Sequence, residues 1–127
     1  MKKEILIVDD EISILKLLNF VLAKDYDLII KNSGIEGISW LEEGNTPSLI
    51  ISDLRMPYFD GSSFVRNLKV SGYYRDIPVI LLSGAEDLDS VAEGMSHKAE
   101  SYIQKPFNPT ALKTEIIKLL SIPTPIT

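Results

Sequence analysis

Along this chain, short uninterrupted apolar runs alternate with segments whose apolar residues return every three or four positions. Ile5-Leu6-Ile7-Val8, Leu49-Ile50-Ile51 and Val79-Ile80-Leu81-Leu82 are the strongest runs. They are rich in β-branched residues and too short for helices, which predicts strands buried on both faces of a parallel sheet. Leu28-Ile29-Ile30 and Tyr102-Ile103 are weaker runs and supply the second and fifth strands. Between the runs, apolar residues fall at helical spacing: Ile12, Leu15, Leu18 and Leu22; Ile35, Ile38 and Leu41; Phe64, Val65 and Leu68; Leu88, Val91 and Met95; Leu112, Ile116, Leu119 and Leu120. The pattern is β-α repeated five times. Right-handed crossovers then give an α/β, doubly wound parallel sheet with helices on both faces. Asn108-Pro109 reads as an N-cap followed by proline at the first helical position. Pro57 and Asp60-Gly61 mark a turn after the third strand, and Asp25 to Asp27 reads as an ordinary turn. Residues 1–120 form one domain on this reading, and residues 121–127 form a flexible tail or the start of a linker.

Composition narrows the function classes. The chain has 127 residues and a net charge of −5, a poor balance for binding nucleic acid or an anionic membrane. It has no basic run and no zinc-type ligand spacing. It has no cysteine, which excludes disulfide and thiol chemistry and fits a cytoplasmic location. The apolar stretch before Asp9 is too short for a signal peptide or a membrane span.

In an open parallel sheet, ligands bind beyond the carboxyl ends of the strands. There the chain places Asp9-Asp10-Glu11, then Asp53, then Ser83-Gly84-Ala85, then Lys105-Pro106-Phe107. Each piece alone has an ordinary explanation as a cap, a turn or a solvated side chain. Together they gather carboxylates, a hydroxyl and an ammonium group at one edge. Two carboxylates about 4 Å apart repel by roughly 4 kcal/mol at an effective dielectric of about 20, so such a cluster calls for a cation. Oxygen donors without His or Cys suit a hard ion, Mg²⁺ or alternatively Mn²⁺. A carboxylate beside that cation is a competent nucleophile for forming an aspartyl-phosphate. Lys105 would then hold one phosphoryl oxygen, and Ser83 would donate to another.

In order and spacing, Ile7-Val8-Asp9-Asp10-Glu11, Asp53-Leu54-Arg55-Met56-Pro57 with Asp60-Gly61, Leu82-Ser83-Gly84-Ala85 and Lys105-Pro106-Phe107 resemble the receiver domain of bacterial two-component response regulators. The resemblance covers residues 4–120. It implies a (βα)5 flavodoxin-like fold with strand order 2-1-3-4-5. It implies Asp53 as phosphoacceptor, and Asp10, Asp53 and the Arg55 backbone carbonyl as direct Mg²⁺ ligands, with Asp9 acting through bound water. Ser83 matches the hydroxyl that follows the phosphoryl group, Tyr102 the aromatic that moves between exposed and buried positions, and Lys105 the family's lysine. A cis Lys105–Pro106 bond is also implied. The donor would be a phosphohistidine on a sensor histidine kinase or a histidine phosphotransfer protein. The output would pass to a downstream protein through the fourth helical segment, where Gly94 weakens the helix, together with the fifth strand and the last helix. Phosphorylation-dependent homodimerisation through that surface is left open. Such a protein is a phosphoacceptor rather than an enzyme.

Two departures from the family pattern stand out. Lys98-Ala99 replaces the Gly-Ala often found before the fifth strand, which would strain Lys98 if its backbone were left-handed. Arg55 and Ala85 occupy the positions that tune water attack on the aspartyl-phosphate. Neither orients a water in an obvious way, which predicts a persistent phosphoryl group. A phosphate cradle for a nucleotide or flavin is excluded by the acidic residues after the first strand and the absence of a glycine-rich loop. An aspartyl-nucleophile phosphohydrolase would need a second acid where Arg55 stands. An interaction module that works without phosphorylation is the remaining alternative. His97, Trp40 and Met56 are read as surface or packing residues.

Overall fold

The structure, a computed structural model, describes residues 2–56, 60–84 and 99–121. Five strands, β1 (Glu4–Val8), β2 (Asp27–Lys31), β3 (Leu49–Asp53), β4 (Val79–Ser83) and β5 (Ser101–Gln104), pair in parallel in the order β2-β1-β3-β4-β5. This is the order the family resemblance implied. Each long apolar run feeds both sides of the sheet, because successive side chains point to opposite faces. On one face, Leu6, Val8, Ile50, Val79 and Leu81 meet Leu41, Phe64, Val65 and Leu68. On the other, Ile5, Ile7, Leu49, Ile51, Ile80 and Leu82 meet Leu18, Leu22, Leu112, Ile116 and Leu119. The sheet thus separates two apolar cores.

Four described helices cover it: α1 (Ile12–Leu22), α2 (Gly34–Glu42), α3 (Gly61–Val70) and α4 (Pro109–Leu120). α1 and α4 lie on one face and α2 and α3 on the other. Ser33, Asp60 and Asn108 cap α2, α3 and α4 through their side-chain oxygens. Asn108-Pro109 therefore starts a helix as its sequence predicted. Lys2 Nζ donates to Ala23 O at the end of α1 (3.1 Å), and Lys3 Nζ to Leu120 O at the end of α4 (3.5 Å). They bring positive charge to carbonyls that lack intrahelical partners.

Some sequence expectations shift by a residue or a face. Asp27 is not part of the turn but opens β2, its N–H donating to Lys3 O (3.0 Å). Ile12 and Ile35 belong to the apolar helical pattern but are exposed, so the buried stripe of each helix is narrower than that pattern. Gly61 is already helical. The fourth helical pattern with Leu88 and Gly94, together with Pro57, Ala85, His97 and Lys98, lies outside the described residues, as do residues 122–127. No described helix is long and apolar enough to cross a membrane.

At the edge of the sheet away from the strands' carboxyl ends, Lys69 Nζ donates to both Glu100 carboxylate oxygens (2.8 and 3.0 Å), to Arg75 O (3.0 Å) and to Ile77 O (3.1 Å). Glu100 also accepts from the Val79 N–H at 2.8 Å. This network ties the end of α3 to the starts of β4 and β5. β5, an edge strand, is otherwise held in the sheet through β4 alone.

Candidate functional site

The carboxyl ends of β1, β3 and β5 bring Asp9, Asp10, Asp53 and Lys105 together. Asp53 is the last residue of β3, 3 % exposed; Asp9 directly follows β1 and is fully buried. Lys105 directly follows β5, and its N–H donates to Ser83 O at 2.7 Å, which fixes where its side chain begins. From there Lys105 Nζ reaches Asp53 Oδ1 at 2.9 Å, Glu11 Oε1 at 3.5 Å and Asp9 Oδ2 at 3.7 Å. The Lys105–Pro106 peptide bond is cis.

The electrostatics follow from burial. Desolvation is the largest influence on Asp9, pushing its pKa from 3.8 up to about 6. Repulsion from Asp53 and Glu11 adds to this, while the Glu11 N–H, donating to Asp9 Oδ1 at 2.9 Å, and Lys105 oppose it. Burial also raises the Asp53 carboxyl, against the hydrogen bond and charge of Lys105. For Lys105, burial is the largest single influence and pulls its pKa down. The hydrogen bond to Asp53 and the charges of Asp9, Asp53 and Glu11 outweigh it, so the ammonium is held above its usual range.

One carboxylate oxygen from each of Asp9, Asp10 and Asp53 lies within 4.8 Å of the others. Asp10 is exposed, which opens this trio to solvent on one side. Asp9 Oδ2 is buried and, among the described residues, accepts no hydrogen bond and has only the 3.7 Å ion pair with Lys105, so a cation would satisfy it. An all-oxygen set with one open side fits Mg²⁺ or Mn²⁺.

Ser83 ends β4 next to Leu82, the register partner of Asp53, and its buried Oγ has no hydrogen-bond partner among the described residues. Arg55 lies two residues past Asp53, its side chain exposed. Tyr102 is not among the converging groups. It packs against the core on the α2–α3 face, and its hydroxyl accepts from the Ala99 N–H at 3.0 Å. Met56 is buried in the same core, and Trp40 packs against it.

Three further residues shape the site: Glu11 and Gly61 from the sequence motifs, where they had no assigned role, and Ser52. Glu11 shares Lys105. Gly61 permits a close approach: a Cβ there would lie 2.5 Å from Asp53 O and 2.8 Å from Leu54 Cα, so only glycine lets α3 start against the end of β3. Its N–H donates to Leu54 O at 2.8 Å. Ser52, fully buried, donates from Oγ to Asp53 O at 3.0 Å. In the sequence Glu11 stands in the acidic motif, Gly61 in a turn, and Ser52 only as a hydroxyl interrupting an apolar run.

The chain is similar to known proteins over nearly its whole length. It is 34% identical over 120 residues to "Probable transcriptional regulator ycf27" of Porphyridium aerugineum, covering 94% of this chain and 48% of that protein. It is 33% identical over 125 residues to the phosphate regulon transcriptional regulatory protein PhoB of Escherichia coli (strain K12), covering 91% of this chain and 51% of that one. The chain therefore spans about half the length of these curated relatives. The crystal structure of the signal receiver domain of a signal transduction histidine kinase from Syntrophus aciditrophicus superposes with a TM-score of 0.86 at 33% identity, covering 98% of this chain and 97% of that one. The family model for the response regulator receiver domain matches residues 5–117, and the chain belongs to that family.

Proposed function

We propose that this protein accepts a phosphoryl group on Asp53 from a phosphohistidine of a sensor histidine kinase or a histidine phosphotransfer protein, in the cytoplasm. The observation that carries this reading is the ammonium of Lys105, 2.9 Å from Asp53 Oδ1, beside a three-carboxylate cluster. Asp9, Asp10 and Asp53, with the Arg55 carbonyl, would hold Mg²⁺. When bound, that ion supplies positive charge against the phosphoryl oxygens.

A carboxylate oxygen of Asp53 attacks phosphorus and a P–O bond forms. The N–P bond of the donor breaks, and its electron pair leaves on the imidazole nitrogen, which is protonated from solvent. Little covalent assistance is needed, because phosphoryl transfer depends mainly on positioning and charge. Lys105 holds one phosphoryl oxygen and neutralises part of the charge gathered on transfer. Ser83, whose hydroxyl has no partner among the described residues, donates to another. Its movement draws the following loop, and Tyr102 changes position with it. The changed surface signals to a downstream protein partner. In this role the protein is a stoichiometric phosphoacceptor rather than an enzyme with a separate substrate.

The test is to incubate the protein with acetyl phosphate and Mg²⁺ and record its intact mass, with Asp53→Asn as control. One added phosphoryl group, lost in the variant and without Mg²⁺, is the expected result. No adduct from acetyl phosphate or from a panel of phosphorylated kinases would overturn the reading and leave the phosphorylation-independent interaction module.

A further inference from the structure

We propose that Ser52 is a positioning residue for phosphoryl transfer, its buried hydroxyl fixing the Asp53 carbonyl and so the peptide from which the accepting carboxylate projects. The inference rests on Asp53 being the phosphoacceptor.

Asp53 stands where β3 begins to lose its neighbours. The register with β4 extends to Asp53↔Leu82, whereas the register with β1 ends one residue earlier, at Val8↔Ser52. On the β1 side, sheet pairing thus stops just short of the residue whose geometry matters most. Two other contacts act on the Asp53 carbonyl at that point. The Ser52 hydroxyl donates to it at 3.0 Å. The first residue of α3 crowds it so closely that a Cβ on Gly61 would lie 2.5 Å away. One contact attracts the oxygen and the other limits how far it can move.

The alternation of β3 explains why a serine serves here. Ile50 belongs to the core on the α2–α3 face and Ile51 to the core on the opposite face, so Ser52 follows Ile50 toward α2 and α3. The neighbouring positions of that face on β1, β3 and β4 are apolar, namely Leu6, Val8, Ile50, Val79 and Leu81, until Ser83 at the end of β4. A fully buried hydroxyl among them is unfavourable unless bonded, and its bond goes to Asp53 O. Reactivity depends steeply on the placement of the reacting group, and small displacements cost large factors in rate. A hydrogen bond that holds the root of the Asp53 side chain therefore acts on rate, not on stability alone.

The experiment follows the gain of one phosphoryl group from acetyl phosphate with saturating Mg²⁺ by intact mass. In this step the donor O–P bond breaks, its electron pair leaves on acetate, and a P–O bond forms on Asp53. The proteins are wild type, Ser52→Ala and Ser52→Thr, with unfolding midpoints measured in parallel. Ser52→Ala should fold, retain its single phosphorylation site and react about five- to tenfold more slowly, the barrier change expected for one lost hydrogen bond. Ser52→Thr, which keeps the hydroxyl, should recover most of that rate even if its added methyl lowers the midpoint. If Ser52→Ala does not fold, Ser52→Cys, with a similar volume and a weaker donor, should show an intermediate loss. Folded Ala or Cys variants that react as fast as wild type would overturn the inference, as would a Thr variant as slow as Ala. Failure of wild type itself to gain a phosphoryl group from any donor would instead remove the underlying reading of Asp53.

Discussion

Replacing Asp9 by Asn should stabilise the cation-free protein at neutral pH while weakening its hold on a divalent cation. Asp9 is fully buried, and its pKa is pushed from 3.8 up to about 6, chiefly by desolvation. A carboxyl with a raised pKa holds its proton more tightly in the folded state than in the unfolded one. Its contribution to stability is therefore complete below about pH 4 and is lost as pH rises through about 6. A shift of about two units is worth about 3 kcal/mol, the order of the penalty carried by ionised Asp9 without a cation. Asparagine keeps an oxygen to accept the Glu11 N–H and gives up only a 3.7 Å ion pair, while Lys105 retains Asp53 at 2.9 Å. Urea or thermal unfolding of both proteins in chelator from pH 4 to 8 is the assay. The variant should match wild type near pH 4 and gain about 2–3 kcal/mol by pH 8, roughly 5–10 °C in midpoint for a domain of this size. Added Mg²⁺ should close or reverse the gap, since a ligand at a hundredfold its Kd stabilises by about 2.7 kcal/mol and the variant binds it less well. An Asp9→Asn protein no more stable than wild type in chelator at pH 7–8 would refute the reasoning. It would mean that Lys105 already compensates the buried charge.

Gly61→Ala should lower stability by about 1–3 kcal/mol in urea unfolding, as overpacking does, although alanine is the better helix former by about 1 kcal/mol. It should also slow phosphoryl gain at Asp53, and a variant stabilised by the alanine would show that the contact between α3 and β3 yields freely. Lys69→Met should cost about 1–3 kcal/mol, because Arg75 O and Ile77 O lose this donor and Glu100 keeps only the Val79 N–H among the described residues. The same change at exposed Lys16 should stay within about 0.5 kcal/mol, and equal effects at the two sites would remove the role assigned to the Lys69 network. Once formed, the Asp53 adduct should persist through gel filtration at pH 7.5, as Arg55 and Ala85 suggest; rapid loss of the added mass from purified protein would contradict this.

The parts of the fold legible in sequence are those where burial leaves a periodic trace. β1, β3 and β4 are buried on both faces, so their apolar runs stand out. β2 and β5 form the edges, are only half covered and leave weaker runs, which is why Asp27 reads as a turn although it pairs with Glu4. The carboxylates and Lys105 were legible because a parallel sheet gathers whatever follows its strands. Gly61 stands in its motif as a turn residue, but its close approach to Asp53 O exists only once α3 has docked, and Ser52 carries no pattern beyond a hydroxyl in an apolar run. Lys69 looks like any helix-surface lysine until Glu100, thirty-one residues away, is placed against it.

The separation of the apolar residues into two cores has a consequence for how this domain tolerates change. Residues on opposite sides of the sheet share no side-chain cluster, so the loss from Leu18→Ala and the loss from Phe64→Ala should simply sum. One side can be repacked without a compensating change on the other, and the sheet works as a bulkhead between two independently variable compartments. At the end of β3 the division narrows to one peptide link. Ser52 follows the side chains of one compartment and Asp53 those of the other, so the peptide between them is one place where the two compartments meet.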